Sequence, residues 1–339
     1  MIRQNNDFSI RAGAFHGPAM LATGNVGRFE RTLRSLNLPT DAEEILDASS
    51  YLKGINEIER IAGESSFFAR SGIQQNVEDL GVFGRAIVSA ETLWEALQIT
   101  KNALQYYQNN SELVVRVYRG RCRIWYFGPF RKRDAVQDIQ YTITLLANIV
   151  NLARAKVDPE LSISYPAGSG AHFQNNPSVK CVRDSPQGYI EFNEDLLRSK
   201  MRRTDSMRAE VLSRFLNSEN IETASRASAS EMVSGLVRAS FGVAPWSFSD
   251  TAKALQVGER TLQIRLKDEG LTFRKIVQAE RHKKARHLLG SGTSIEAAAE
   301  ELGFEHRQSF SEAFSNWEGR SPSAFTKNRV PRRVNTSRL

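Results

Sequence analysis

Cysteine is nearly absent from this chain: Cys122 and Cys181 are the only two in 339 residues. Two thiols can build neither a disulfide framework nor a thiolate zinc cluster. Both therefore read as reduced, partly buried side chains of a cytoplasmic protein. Long apolar runs are missing too. No uncharged apolar stretch reaches 18 residues, so no transmembrane helix and no membrane partner are expected. Within the first 30 residues, His16, Gly17 and Pro18 interrupt the best apolar candidate, 12–22, and no signal peptide is expected. Catalytic signatures are equally scarce: there is no GxSxG elbow, no HExxH and no phosphate-cradling glycine loop. An enzyme is not expected, and neither is a cofactor or a resident metal. His282 and His287, five residues apart on one helix, diverge by about 140° and cannot form an i,i+4 metal pair, so they read as surface or phosphate-near side chains.

What the chain does have is uneven charge. Of its net +8, the residues from Ser240 onward carry 17 Lys+Arg against 11 Asp+Glu, while the preceding 239 hold the other 29 and 27. A basic excess concentrated in about 100 residues is the footprint of a polyanion binder. Length and ordinary composition allow two globular domains.

The N-terminal two thirds mix both periodicities. Helical spacing runs through 28–38, 42–62, 91–107 and 134–156, and again through 195–216. Strands are expected at 112–118 and 122–127, joined by a hairpin turn at Arg119, Gly120 and Arg121, and shorter ones at 161–165, 179–182 and 189–192. Trp94, Trp125, Tyr126 and Phe127 either line an apolar pocket or pack a core. His172, after Gly168 and Gly170, reads as an ordinary loop histidine, and Glu43, Glu44 and Asp47 as a solvated helix face. The serine-rich 218–230 is the expected linker between an N-terminal domain, 1–217, and a C-terminal domain, 231–327, with a frayed basic tail at 328–339.

The C-terminal domain carries the strongest pattern, two helix-turn-helix units about 47 residues apart. Leu255 maps onto Leu302 and Val257 onto Phe304, while Leu262 and Leu266 map onto Phe310 and Phe314 with one added residue; Gly270 and Gly319 close the units. Capping boxes are expected from Ser247 to Asp250 and from Thr293 to Glu296. Between the units, 273–289 forms a helix about 25 Å long, with Phe273, Ile276, Val277, Ala285, Leu288 and Leu289 inward. At 100° per residue, burying Leu262 and Leu266 turns Arg260, Gln263, Ile264 and Lys267 outward. Burying Phe310 and Phe314 turns out Gln308, Ser311, Glu312 and Ser315, with Arg307 on the flank. Arg and Gln pair with guanine and adenine edges, and Lys suits phosphate. The first arc is cationic. The second has no central cation, and Glu312 accepts only from a donor such as the cytosine amino group.

With Arg281, Ala285, Leu288 and Leu289, then Ala299, Leu302, Gly303, Phe304, Ser309, Phe310, Ala313, Phe314, Trp317, Gly319, Ser321 and Pro322, the segment 231–327 resembles the AraC/XylS family of bacterial transcription regulators. The resemblance implies a seven-helix domain whose recognition helices enter successive major grooves of double-stranded DNA. It assigns base contacts to Arg260, Gln263, Ile264, Arg307, Gln308, Ser311 and Glu312. Ile264 and Glu312 depart from the family's commoner residues: Ile264 puts an apolar side chain where polar readout is common, and Glu312 stands where a basic or neutral residue is frequent. The stretches 80–97 and 189–197 are similar to the ornithine-utilisation-regulator branch, whose arabinose-binding-type effector domain is not a many-stranded cupin.

The expected architecture is an α+β N-terminal effector domain joined to an all-α C-terminal domain with two helix-turn-helix motifs bridged by a long helix. The expected role is a transcription regulator, activation being the family's commoner mode, with RNA polymerase and an unknown small-molecule effector as partners. A homodimer is expected from the resemblance alone, since no coiled-coil heptad is visible. A constitutive regulator whose N-terminal domain only dimerises is the alternative. A DNA-repair alkyltransferase fused to such a module is disfavoured by the two widely spaced cysteines.

Overall fold

The computed structural model describes residues 8–41, 43–64, 67–130, 136–153, 161–165, 181–184, 188–202, 205–217, 228–255 and 257–327. The serine-rich 218–227, the tail 328–339 and the loop with His172 lie outside the described residues. The chain divides into two compact units, Met1–Arg226 with Ala252–Gly258, and Ala227–Thr251 with Glu259–Leu339.

The first unit is α+β. Its elements are β1 (Ser9–Arg11), α1 (Gly13–Thr23), α2 (Val26–Ser35), β2 (Ile45–Asp47), α3 (Ala48–Ala62), α4 (Phe67–Gln74), α5 (Gly81–Ser89), α6 (Leu93–Asn102), α7 (Leu104–Tyr107), β3 (Glu112–Tyr118), β4 (Arg121–Phe127), α8 (Val136–Leu152), β5 (Ser162–Tyr165), β6 (Cys181–Asp184), β7 (Tyr189–Asn193) and α9 (Ser206–Leu216). Five strands make one sheet in the order β3-β4-β7-β5-β6, and β1 pairs antiparallel with β2. The β3–β4 hairpin turns through Arg119 (φ 51°) and Gly120 (φ 77°), both left-handed, as the two-residue turn that matches strand twist requires.

The expected helix over 42–62 is corrected at its start. Residues 45–47 bond to β1 instead, and the Asp47 carboxylate accepts from Ser50 N–H at 2.8 Å to cap α3. The expected helix over 195–216 is also broken. A 3-10 turn fills Glu194–Arg198, Lys200 bridges Thr92, and a new helix, α9, begins at Ser206 under an Asp205 cap. The helix over 91–107 divides at Ala103 into α6 and α7.

Helix α8 is the axis of this unit. Ile139, Tyr141, Ile143, Leu146, Ile149 and Val150 are all buried, and it packs on α4 and on the sheet. The contact with α4 is close because Gly72 lacks a side chain: a Cβ there would lie 2.4 Å from the Tyr141 carbonyl oxygen. Asp138, buried at the start of α8, accepts from the hydroxyls of Tyr51 and Tyr126, each at 2.8 Å, and Gln108 donates to Tyr126 at 2.8 Å. A second buried polar cluster joins Arg11, Glu43 and Tyr106: the guanidinium lies 3.2 Å from the carboxylate, which accepts from Tyr106 at 2.7 Å and from Val82 N–H at 2.8 Å. Glu43 is therefore an internal tie, not a solvated helix face. Burial pushes the Cys122 thiol up to about 12, which leaves it unreactive at neutral pH.

Burial pushes Asp138 from 3.8 up to about 6, against the hydrogen bonds from Tyr126 and Tyr51 that favour its charged form. The folded state thus holds its proton more tightly than the unfolded chain. This contribution is fully present below about pH 4 and is lost as pH rises through about 6, a difference on the order of 2–3 kcal/mol. Asp138→Asn removes the titrating group while keeping the acceptor of one of the two tyrosines, and urea unfolding between pH 4 and 7 should show that downward slope flattened in the variant.

Candidate nucleic-acid interface

The described residues 228–327 form helices and no strand: α10 (Ala229–Ser240), α11 (Phe248–Ala254), whose last three residues fall in the segment grouped with the first unit, α12 (Glu259–Asp268), α13 (Phe273–Gly290), α14 (Ile295–Glu301), α15 (Arg307–Glu318) and α16 (Pro322–Lys327). Local chemistry sets each start. Ser228 and Glu231 form a reciprocal capping box on α10, two residues ahead of the expected start. Ser247 and Asp250 form the expected box on α11, with Asp250 N–H donating to Ser247 at 3.0 Å and Ser247 N–H to Asp250 at 3.2 Å. The expected box on α14 is corrected: Ser294, not Thr293, caps the helix by accepting from Ala297 N–H at 3.1 Å. Glu296 is thereby released from capping, and it pairs with Arg307 at 2.8 Å.

Helix α12 buries only Leu262 and Leu266. Arg260, Gln263, Ile264 and Lys267 are all exposed on it. Ile264 stands 48% exposed on the same arc. Past its end, Gly270 takes φ 72°, and the N–H groups of Gly270 and Leu271 donate back to the carbonyls of Lys267 and Leu266. Thr272 then caps α13.

Helix α15 buries Phe310 and Phe314, which pack edge-on against Phe304 at 5.5 Å and Phe325 at 5.3 Å respectively. Arg307, Gln308 and Glu312 are exposed, and Ser311 and Ser315 are half-buried. The two serine hydroxyls turn inward, Ser311 to the Arg307 carbonyl at 3.0 Å and Ser315 to the Ser311 carbonyl at 2.7 Å. Gln308 donates its amide to Glu312 at 3.2 Å. These two side chains act as a linked pair, in which the Gln308 carbonyl and the second Glu312 oxygen remain to accept.

The bridging helix α13 holds α15 through polar contacts that the sequence reading did not find. His282 Nε2 lies 2.6 Å from Glu318 Oε1, and Arg286 donates to the same oxygen at 2.8 Å. The His282 hydrogen bond holds the Glu318 carboxyl below the usual carboxylate range, with Arg286 adding to it. The His282 ring also stands 5.6 Å from Trp317. It is a structural clamp, which corrects its reading as a surface side chain. A signal was present, since His282 and Arg286 are four apart and share one helical face. On the other side of α13, the buried Glu280 pairs with Arg238 of α10 at 3.3 Å and with Lys283 at 3.0 Å. Arg281 stacks on Phe304, with its guanidinium carbon 4.7 Å from the ring centre.

In the first unit, the four aromatics offered as pocket or core differ in burial, and none of them is among the residues lining the cavity described next. Trp94 and Phe127 are 45% and 38% exposed, whereas Tyr126 is buried. An interior cavity of about 30 Å³ is lined instead by residues including Tyr51, Phe83, Tyr107 and Tyr141. Among the described residues no group of His, Cys, Asp and Glu is arranged to hold a metal ion, and no helix is long and apolar enough to cross a membrane.

Known families match both units. The arabinose-binding N-terminal domain of the AraC transcription regulator matches residues 29–201, and a helix-turn-helix domain matches 251–328. The chain belongs to the AraC family of transcription regulators. The HTH-type transcriptional regulator VqsM of Pseudomonas aeruginosa is 40% identical over 80 residues, 23% of this chain and 25% of that one. The HTH-type transcriptional regulator YdeO of Escherichia coli K12 is 32% identical over 83 residues, 24% of this chain and 33% of that one. The chain thus spans only a quarter to a third of the length of these curated relatives. The crystal structure of the transcriptional regulator CdpR from Pseudomonas aeruginosa is similar at 24% identity over 88% of this chain and 96% of that one, with a TM-score of 0.40.

The aromatic cluster under α15 is the clearest stability target. Phe314→Ala removes a fully buried ring and should cost the C-terminal domain about 3–5 kcal/mol. Chemical unfolding of this AraC-family protein, followed by far-UV circular dichroism and compared with the wild type, would measure it.

Proposed function

We propose that this chain is a sequence-specific DNA-binding transcription regulator, an activator whose DNA-binding domain, 231–327, answers to a small-molecule effector held by the N-terminal domain, 1–217. Supporting this reading is one observation above others. On two short helices, α12 and α15, a pair of buried apolar side chains leaves the opposite arc free, and these arcs hold side chains suited to base edges and phosphates. Arg260 and Gln263 would read base edges, Lys267 a phosphate and Ile264 a thymine methyl group. Arg307, Gln308, Ser311 and Glu312 would form the second reading head, in which the Gln308–Glu312 pair acts as one unit.

Effector binding would shift a pre-existing equilibrium between arrangements of the protein and so present the DNA-binding domain to promoter and RNA polymerase. The cavity of about 30 Å³ would have to widen to admit a metabolite, since it has room for little more than water.

In-vitro selection of DNA sites with the full-length protein tests the reading directly. An enriched site is expected, and recovery of random sequence at moderate salt would overturn it. On the selected site, Arg260→Ala should weaken binding about 5- to 100-fold, the worth of one good bidentate base contact. Gln308→Ala should weaken it less, because Glu312 already occupies part of its amide. Equal losses in a footprinting titration would refute that ranking. Thermal shift of the full chain against a metabolite panel separates sensing from the alternative, a constitutive regulator whose N-terminal domain only dimerises.

A further inference from the structure

Strand β3 is an edge of the five-stranded sheet, and among the described residues it pairs with β4 alone. Tyr118 and Arg121 flank the two-residue turn and so form the hydrogen-bonded pair that closes it. By the alternation of antiparallel ladders, Glu112, Val114, Arg116 and Tyr118 bond to β4. The N–H and C=O groups of Leu113, Val115 and Val117 therefore point away from the sheet. At seven residues and in continuous register, this edge carries no proline or bulge to block strand addition. It also exposes apolar surface, with Val117 47% and Tyr118 67% accessible.

We propose that β3 pairs antiparallel with β3 of a second copy of this chain, about a two-fold axis through Val115. In that register Val115 faces its own counterpart and Leu113 faces the second copy's Val117. All three outward residues of each strand then exchange their backbone bonds, and every pair on that face is apolar. On the other face Glu112 lies opposite the second copy's Tyr118 and one diagonal step from its Arg116, within reach of long side chains. Symmetry repeats this opposite-charge contact. Glu112 and Arg116 are both exposed and have no partner among the described residues. A register centred on Val114 would keep the charge pairing but leave the Val117 backbone without a β3 partner. The Val115 register uses the whole edge.

The pairing gives a surface to the homodimer expected of such a regulator, yet it requires no DNA. Sedimentation velocity of the full-length protein, from about 1 to 100 µM, should show a monomer–dimer equilibrium, because strand addition sits at the small end of specific interfaces. Val117→Lys alters an exposed position and Val115→Pro removes an N–H that β4 does not use, so both variants should keep the fold, as circular dichroism would verify. Each should weaken dimerisation at least tenfold. In the wild type, the amides of Leu113, Val115 and Val117 should be protected from hydrogen exchange at high concentration and lose that protection on dilution. A protein monomeric throughout, or a dimer whose constant neither variant changes, would overturn the proposal. Failure of site selection on DNA would leave this result untouched, so the two readings fail separately.

Discussion

Two short helices can present functional side chains only if something else holds them still, and here that task falls to α10 for α12 and to α13 for α15. Helices α12 and α15 each bury just two side chains, Leu262 with Leu266 and Phe310 with Phe314. So thin a contact leaves most of each helix free for a ligand but gives little intrinsic stability. Helix α13 makes up the difference for α15, and α10 does so for α12, whose end is tied to it through Glu269. The α13 residues Glu280, His282 and Arg286 reach α10 on one side and the C-terminal end of α15 on the other, and Arg281 covers Phe304 in the turn before α15. At 18 residues α13 is about 27 Å long, a rigid rod on the scale of the helical repeat of DNA. The proposed base contacts of α15 depend on that rod.

The first unit is organised differently. Its helix α8 is buried on nearly all sides and carries an ionisable group, Asp138, into the core with its tyrosine partners. Buried networks of this kind are costly when partly satisfied and rigid when complete. The nearby cluster of Arg11, Glu43 and Tyr106 joins the N-terminal strand pair to α5 and α7 in the same manner. A domain held by such ties can change packing in discrete steps, which is the property an effector-controlled switch exploits.

Much of this was legible from residue order. The apolar residues at 112–118 and 122–127 and the glycine at Gly120 marked the hairpin, because both signals are local, although Arg121, expected in the turn, pairs with Tyr118 as the first residue of β4. The buried pairs on α12 and α15 followed from helical spacing, and the outward arcs followed from them. The failures were also instructive. Residues 45–47 carry a helical pattern, yet they bond to Ser9–Arg11, some 36 residues earlier, and local spacing cannot register such a partner. Glu43 looked like part of a solvated face because the residues that bury it, Arg11, Val82 and Tyr106, are far away in the chain. The cap of α14 shifted by one residue, from Thr293 to Ser294, a difference too small for propensity to resolve.

By itself, then, the sequence determined which side chains each C-terminal helix buries and which it turns outward, since a period of 3.6 residues ties face to spacing. It also determined the family, through residues whose spacing is local. Only the tertiary structure decided what those faces meet: that His282 clamps Glu318, that Glu43 is tied to Arg11 and Tyr106, and that β3 is left at an edge. Those outcomes depend on contacts between residues distant in the chain, and no local periodicity encodes them.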